Sequence, residues 1–294
     1  MDGTRLETYA GYQALDVLTR LLQQMRAAHP THGSFEAAEQ HWWWRSARPT
    51  DAVPQLFWFD GDEPVAASIL TDWRECVALD THTLPHVTPE LLATAIEAGL
   101  AHAAELGYDQ LEFEVDPSDT VRHDVLSRAG FVRDRDGLAE TWLHADDRPP
   151  VAPIADGYRL LLRSDHPGRP HHLAFIGGPE VTTRLEQTSL YRRDLDLFVV
   201  DETDEVAGYA LFWFDPATRT GVVEPMRIHE AHQRRGLARH VLTAGIDHLV
   251  AAGAERIKIC FEIDNPASGA LYLSVGFQPV RQTAIYVRGT PATG

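Results

Sequence analysis

Gln233-Arg-Arg-Gly-Leu-Ala238 stands where alternating, strand-like residues (Gly221 to Ile228) give way to a helix-period run from Gly236 onward. A helix start carries N–H groups without intrahelical partners and a partial positive charge, so such a turn can hold a phosphate. Glycine at 236 lets backbone approach a pyrophosphate without a Cβ in the way, and Arg234 and Arg235 add local positive charge. The plainer alternative is a turn glycine beside solvated arginines. Upstream, Glu224 lies between Val222-Val223 and Pro225-Met226. Partial desolvation among such neighbours raises a carboxyl pKa toward the range useful for proton transfer.

The elements that must position these residues are written twice. Leu56–Leu70 parallels Leu197–Leu211, each an apolar strand, an acidic turn and a second apolar strand. Gly99–Val115 parallels Gly245–Phe261, each a helix-period segment, a glycine stop and a strand. Gly107 pairs with Gly253, and Gly130-Phe131 with Gly276-Phe277, all 146 residues apart. Each half therefore reads as strand, one or two helices, a β-meander, a helix, a strand, a helix and a final strand. His144–Gly157, rich in proline and acid, cannot sustain a helix or central strand. The expected organisation is a first domain over 1–146, a linker over 147–156 and a second domain over 157–294.

The second half resembles the GNAT acyltransferase superfamily, whose signature is Gln or Arg, two residues, Gly, one residue, then Gly or Ala. Gln233, Gly236 and Ala238 match it, and Asn265, Tyr272, Gly276 and Phe277 match a second element, an Asn before a tyrosine-bearing helix closed by Gly-Phe. The resemblance covers about Gly157 to Arg288, with the first half a diverged copy. It implies an α/β fold of two tandem GNAT-like domains, each a twisted, mostly antiparallel mixed sheet flanked by helices. It also implies acetyl-CoA as co-substrate, its pantetheine arm in a gap between the fourth and fifth strands. Pro225, which cannot donate to a ladder, suits a bulge at that gap. By motif position, Met226, Arg227 and Ile228 meet the pantetheine. Gln233, Arg234, Arg235, Gly236, Leu237, Ala238 and Arg239 hold the pyrophosphate, and Asn265 contacts the coenzyme or caps its helix. Glu224 is implied as general base, or as a holder of a cationic substrate group. Tyr272 is implied as the acid that protonates the leaving thiolate, or as a core aromatic.

In the first half the phosphate-turn register falls on Val87-Thr-Pro-Glu-Leu-Leu92, without glycine or arginine. Thr88 reads as a helix cap with Pro89 in the first turn. Leu126 stands at the tyrosine position and Asp119 at the asparagine position, so this half is expected to have lost coenzyme binding. His41-Trp-Trp-Trp-Arg-Ser46 reads as interdomain packing in preference to a ligand platform. His171 with His172, and His229 with His232, lack carboxylate or cysteine companions at ligand spacing. They are expected at the surface or in the acceptor pocket, and no metal is expected.

Forty-three acidic against 26 basic residues give a formal charge of −17, which disfavours nucleic acid and anionic membrane surfaces and suits a cationic substrate. Lys258 is the sole lysine, and Cys76 and Cys260 form no disulfide framework. Lacking a signal peptide or a transmembrane-length apolar run, the chain is expected in the cytoplasm, as monomer or homodimer. The leading expectation is direct acetyl transfer to the primary amine of a small, cationic molecule. The rival is an acyl-CoA sensor, which would have no use for Glu224 and Tyr272 together.

Overall fold

The computed structural model describes residues 3–288. In chain order the elements are β1 (Thr4–Tyr9), α1 (Gly11–Ala28), α2 (Ala37–Trp44), β2 (Gln55–Asp60), β3 (Glu63–Asp72), β4 (Val77–Thr83), α3 (Pro89–Glu105), β5 (Leu111–Val115), α4 (Thr120–Arg128) and β6 (Phe131–His144). The second half continues with β7 (Arg159–Leu162), α5 (Ala174–Gly177), α6 (Val181–Gln187), β8 (Asp196–Val200), β9 (Val206–Asp215), β10 (Thr220–Ile228), α7 (Leu237–Ala252), β11 (Arg256–Glu262), α8 (Pro266–Val275) and β12 (Gln278–Arg288). Apart from three-residue and four-residue 3-10 turns, the order in each half is that read from the repeats.

Two compact units emerge, and they differ from a cut at the proline-rich segment. Unit 1 takes residues 3–37, Ala47–Ala139 and 281–288; unit 2 takes Ala38–Ser46 and Glu140–Val280. The last strand of the chain thus lies in unit 1, where Ala284–Arg288 pairs antiparallel with Val115–Leu111 of β5. The end of β6 lies in unit 2, where Thr141 Oγ1 donates to the Ile259 carbonyl at 2.8 Å. Periodicity marks a segment as a strand, but its partner is chosen by which open sheet edge lies within reach.

In unit 1 the strands follow the order β1-β2-β3-β4-β5-β12-β6. Neighbours β1 to β4 are antiparallel, while β4 meets β5 in parallel at Ala78↔Glu112. Leu79, Ile96, Leu100, Phe113, Leu126 and Phe131 form the core beneath α3 and α4. Helix α3 starts as its residues dictate: Thr88 Oγ1 accepts from the Leu91 N–H at 3.4 Å and Pro89 fills the first turn.

In unit 2 the order is β6-β11-β10-β9-β8-β7. Antiparallel ladders join β7 to β10, and β10 and β11 are parallel. Phe212, Val223, Leu237, Val241, Ile246, Ile257 and Phe277 belong to a core packed under α7 and α8. Gly245 sets how closely α7 lies on β9, because a Cβ there would stand 1.9 Å from the Phe212 ring. Both units therefore have mostly antiparallel sheets flanked by helices, in a mixed α/β fold.

Candidate active site

The geometry of unit 2 begins with a strand that parts from its neighbour. β10 pairs with β11 only over Thr220–Val222. Its ladder with β9 slips between Val223 and Met226, so Glu224 and Pro225 form the bulge expected of a proline without an N–H. Beyond the bulge Met226, Arg227 and Ile228 still pair with Ala210, Tyr209 and Gly208 on the β9 side. Among the described residues they have no partner toward β11, which leaves backbone groups available to an extended ligand.

The turn that follows is built for close backbone approach. Gly236 has φ +79°, in the left-handed region, and Arg234 shares that region at +63°. At the N-cap of α7, Gly236 provides no side-chain capping bond, so the first-turn N–H groups keep their donor capacity. Gln233 Nε2 donates to the Ile228 carbonyl at 3.1 Å and braces the turn. Arg239 reaches across to α8, donating to Ser274 Oγ at 2.9 Å.

Strand edge, turn and α8 enclose a groove of about 530 Å³. Met226, Arg227, Ile228, Gln233, Arg234, Gly236, Leu237, Ala238, Arg239, Asn265 and Tyr272, all singled out in the sequence, line it. Arg235 does not; its guanidinium lies 6.0 Å over the Tyr158 ring, whose hydroxyl meets His232 Nδ1 at 3.0 Å. Asn265 both lines the groove and caps α8, Oδ1 accepting from the Ser268 N–H at 3.3 Å. Tyr272 is 6% exposed, packed near Phe261 and Phe277, and burial raises its hydroxyl pKa.

Glu224 lies outside the groove lining, two residues before Met226, in a cluster of charges. Burial pushes its carboxyl well above the usual carboxylate range and Glu39 adds to the shift, while Arg45, Lys258 and a hydrogen bond from Trp43 pull the other way. Lys258, 0% exposed, holds Glu39 with Nζ 2.9 Å from Oε1. Burial draws the Arg45 guanidinium down to about 10 against the opposing pull of Glu224. The Cys260 thiol in the same cluster is held well above its ordinary pKa, first by burial.

Sequence reading missed most of this cluster. Glu39, Trp43 and Arg45 come from α2 and the turn after it, a first-half segment that belongs to unit 2. The triple tryptophan, read as packing between the two halves of the sequence, brings Trp43 to Glu224, and Trp44 Nε1 donates to Gln187 at 3.2 Å. The one available signal was Lys258 itself. A lone lysine between isoleucines on a strand buried on both faces needs a carboxylate partner.

The paired histidines also need correction. His171 and His172 are not at the surface but buried, and the carboxylate missing from their sequence neighbourhood is Asp196, 0% exposed. His171 Nδ1 accepts from the Leu173 N–H at 3.1 Å, so its proton sits on Nε2, 2.9 Å from Asp196 Oδ2. Burial would push the Asp196 carboxyl up, but His171, His172 and the Tyr191 hydroxyl outweigh it and hold it down. His172 is driven to about 3 by burial and stays neutral, with Nδ1 3.2 Å from an Arg163 guanidinium nitrogen. Ligand atoms of the three lie within 4.8 Å of one another. Internal bonds hold His171 and Asp196 Oδ2, whereas among the described residues His172 Nε2 and Asp196 Oδ1, 3.8 Å apart, have no hydrogen-bond partner; Arg163 supplies a cation 3.9 Å from Asp196.

A parted sheet, a glycine turn at a helix start and a groove between them are the features that the resemblance to the GNAT superfamily implies for unit 2. Residues 160–277 match the model of the acetyltransferase (GNAT) family. A mycothiol acetyltransferase from Renibacterium salmoninarum is 35% identical over 85 residues. That match takes in 28% of this chain and only 25% of the relative's length. Among solved structures, a tandem GNAT protein from the clavulanic acid biosynthesis pathway superposes with a TM-score of 0.70 at 15% identity, covering 97% of this chain and 98% of the other. A GCN5-related N-acetyltransferase from Sphaerobacter thermophilus gives 0.63 at 14% identity, covering 98% and 96%. At such identities the likeness is one of fold.

Proposed function

We propose that the chain is an acetyl-CoA-dependent N-acetyltransferase that acylates the primary amine of a small, cationic molecule by direct transfer. The observation that carries this reading is the groove between the unpaired edge of Met226–Ile228 and the α7 start, which lacks a side-chain cap. Backbone groups of Met226 and Ile228 would bond the pantetheine amides. Backbone N–H groups from Arg234 to Arg239 would take the pyrophosphate, and Asn265 would border the arm. Bound there, the co-substrate supplies an activated thioester acyl group.

The residues around it divide the proton work. The Glu224 carboxylate accepts a proton from the incoming ammonium, so the amine nitrogen can form its bond to the acyl carbon as the carbon–sulfur bond breaks. Tyr272 gives its hydroxyl proton to the departing sulfur, and the second proton that the nitrogen sheds on becoming an amide returns to the tyrosine through solvent. Its raised pKa keeps it protonated and able to serve. Glu39 and Glu224 supply local negative charge that draws a cationic acceptor, with Arg45 and Lys258 limiting it. The first-half copy has lost the coenzyme turn and binds no coenzyme. No described helix is long and apolar enough to cross a membrane, and a cytoplasmic monomer or homodimer fits this chemistry.

The test is thiol release from acetyl-CoA with amines ranging from polyamines to cationic antibiotics. Release that depends on one amine class is expected. Coenzyme binding without release on any amine would instead favour the sensor. Because the Glu224 pKa is raised, its carboxylate form grows as pH increases. Wild-type kcat/KM should climb through that range, and Glu224→Gln should lose the climb as well as about 100-fold in rate. A Gln variant that keeps the same pH dependence would assign the carboxyl to substrate binding.

A further inference from the structure

Unit 1 has its own cavity, of about 300 Å³, where β4 ends and α4 begins. Asp80, His82, Glu114, Asp116, Asp119 and Arg122 are among its lining residues. Set back by 146 residues, it occupies the station of the coenzyme groove: Asp80 stands at the Met226 position, His82 at Ile228 and Asp119 at Asn265. An apolar, backbone-reading surface has been replaced by charged side chains.

Two of the carboxylates are already matched. Asp119 meets Arg122 Nε at 3.2 Å, and Asp116 meets Arg281 at 3.3 Å. Arg122 also donates to the Thr81 carbonyl at 2.9 Å. Asp80 is different: it is 7% exposed, and among the described residues no side-chain or backbone hydrogen bond reaches its carboxyl. His82, 4% exposed, has an Nε2 with no hydrogen-bond partner. Burial drives that imidazole down to about 3, so it faces the cavity neutral. Glu114, which accepts from the Thr283 hydroxyl, adds negative charge beside Asp80.

Buried polar groups without partners carry a desolvation cost that a ligand can relieve. The donor atoms here are too widely spread for one metal ion, since among the described residues the only cluster tight enough is that of His171, His172 and Asp196. The surplus of carboxylate repels anions, including the coenzyme's phosphates. What matches is a small organic cation whose donors sit on more than one atom, an ammonium together with a second N–H or O–H group, so that spread acceptors are reached at once.

We propose that this cavity is a binding site for a small organic cation bearing a primary ammonium group, held by the Asp80 carboxyl, His82 Nε2 and the Glu114 carboxyl. The site needs no coenzyme and stands whether or not unit 2 transfers acyl groups.

Isothermal titration of the full chain with ethanolamine and 1,4-diaminobutane, without coenzyme and in amine-free buffer, tests it. Ethylene glycol and tetramethylammonium, which lacks N–H donors, serve as controls. At least one amine should bind while both controls fail. Its Kd should rise about tenfold or more in Asp80→Asn, the loss of a hydrogen bond to a charged group, and stay unchanged in Glu224→Gln. Binding that survives Asp80→Asn but vanishes in Glu224→Gln would assign the amine to unit 2 and overturn the proposal, as would equal binding of tetramethylammonium. In the unmutated protein, the His82 imidazole resonances should move on titration with the same amine; still resonances would overturn it without any variant.

Discussion

The same station in the two copies is lined by residues of opposite character. In unit 2 the parting of β10 from β11 opens onto a helix whose N-cap is Gly236, with no side chain spent on its amides. In unit 1 the matching helix, α3, is capped by Thr88 and opened by Pro89, which has no N–H to offer. Its cavity is lined by carboxylates where unit 2 has Met226 and Asn265. On the two proposals above, side-chain changes at one station convert an anion-reading surface into a cation-reading one while strand order and helix placement persist. The fold sets where a ligand can sit, and the side chains at that gap set its charge.

The contrast breaks most sharply at Tyr272, whose counterpart is Leu126, buried at 0% exposure. Tyr272→Phe should lower turnover by roughly tenfold to ten-thousandfold with little change in coenzyme affinity. Unchanged turnover in steady-state assays would reduce the tyrosine to the core role that Leu126 has.

Lys258 comes next, with Glu112 at its station in unit 1. Lys258→Met leaves Glu39 buried without its ammonium and should cost about 3–5 kcal/mol in chemical denaturation, most of it recovered when Glu39→Gln is added. A cost that the double variant does not recover would mean packing, rather than charge, is what Lys258 supplies.

Asp80 ties the stability of unit 1 to pH. Burial, with Glu114 adding and Arg122 subtracting, raises its carboxyl to about 7. Between the unfolded value near 4 and about 7 the folded state therefore binds a proton that the unfolded state has released. Stability from this group is full below that window and falls as pH rises through it. His82 faces the same cavity but stays neutral throughout. Asp80→Asn should raise Tm at pH 8 by an amount worth a few kcal/mol at most, with the gain shrinking toward pH 4. A uniform gain at all pH values would assign it to something other than titration.

The smallest effect is expected at Gly236. No atom lies within 4 Å of a Cβ built there, so Gly236→Ala meets no clash and only the strain of φ +79°. The expected loss is about 1 kcal/mol of stability, with coenzyme affinity reduced about tenfold where a Cβ obstructs the phosphates. Equilibrium dialysis should also find one coenzyme per chain. Two would erase the contrast between the copies.

Much of this was legible in the residues. Gln233, Gly236 and Ala238 stand at the strand-to-helix turn, Pro225 lies in a bulge, and Thr88 caps α3. Each is a local matter, decided by backbone freedom or by a donor present or missing within a few positions. Asp196 beside His171, and Glu39 beside Lys258, are 25 and 219 residues apart in sequence, so nothing local says which carboxylate each would meet. Arg235 shows the reverse failure, a motif residue whose side chain turns to Tyr158 instead of the groove.

What the residues determine alone, then, is the order of elements, the duplication and the turn that can read a phosphate, because periodicity and backbone constraints act over a turn or two of chain. The tertiary structure decided that α2 joins unit 2 and surrounds Glu224 with charge, that β12 closes unit 1, and that the first copy keeps a cavity of its own. Those outcomes depend on long-range pairing and on burial. A carboxyl acquires its protonation state from groups that only folding brings near it.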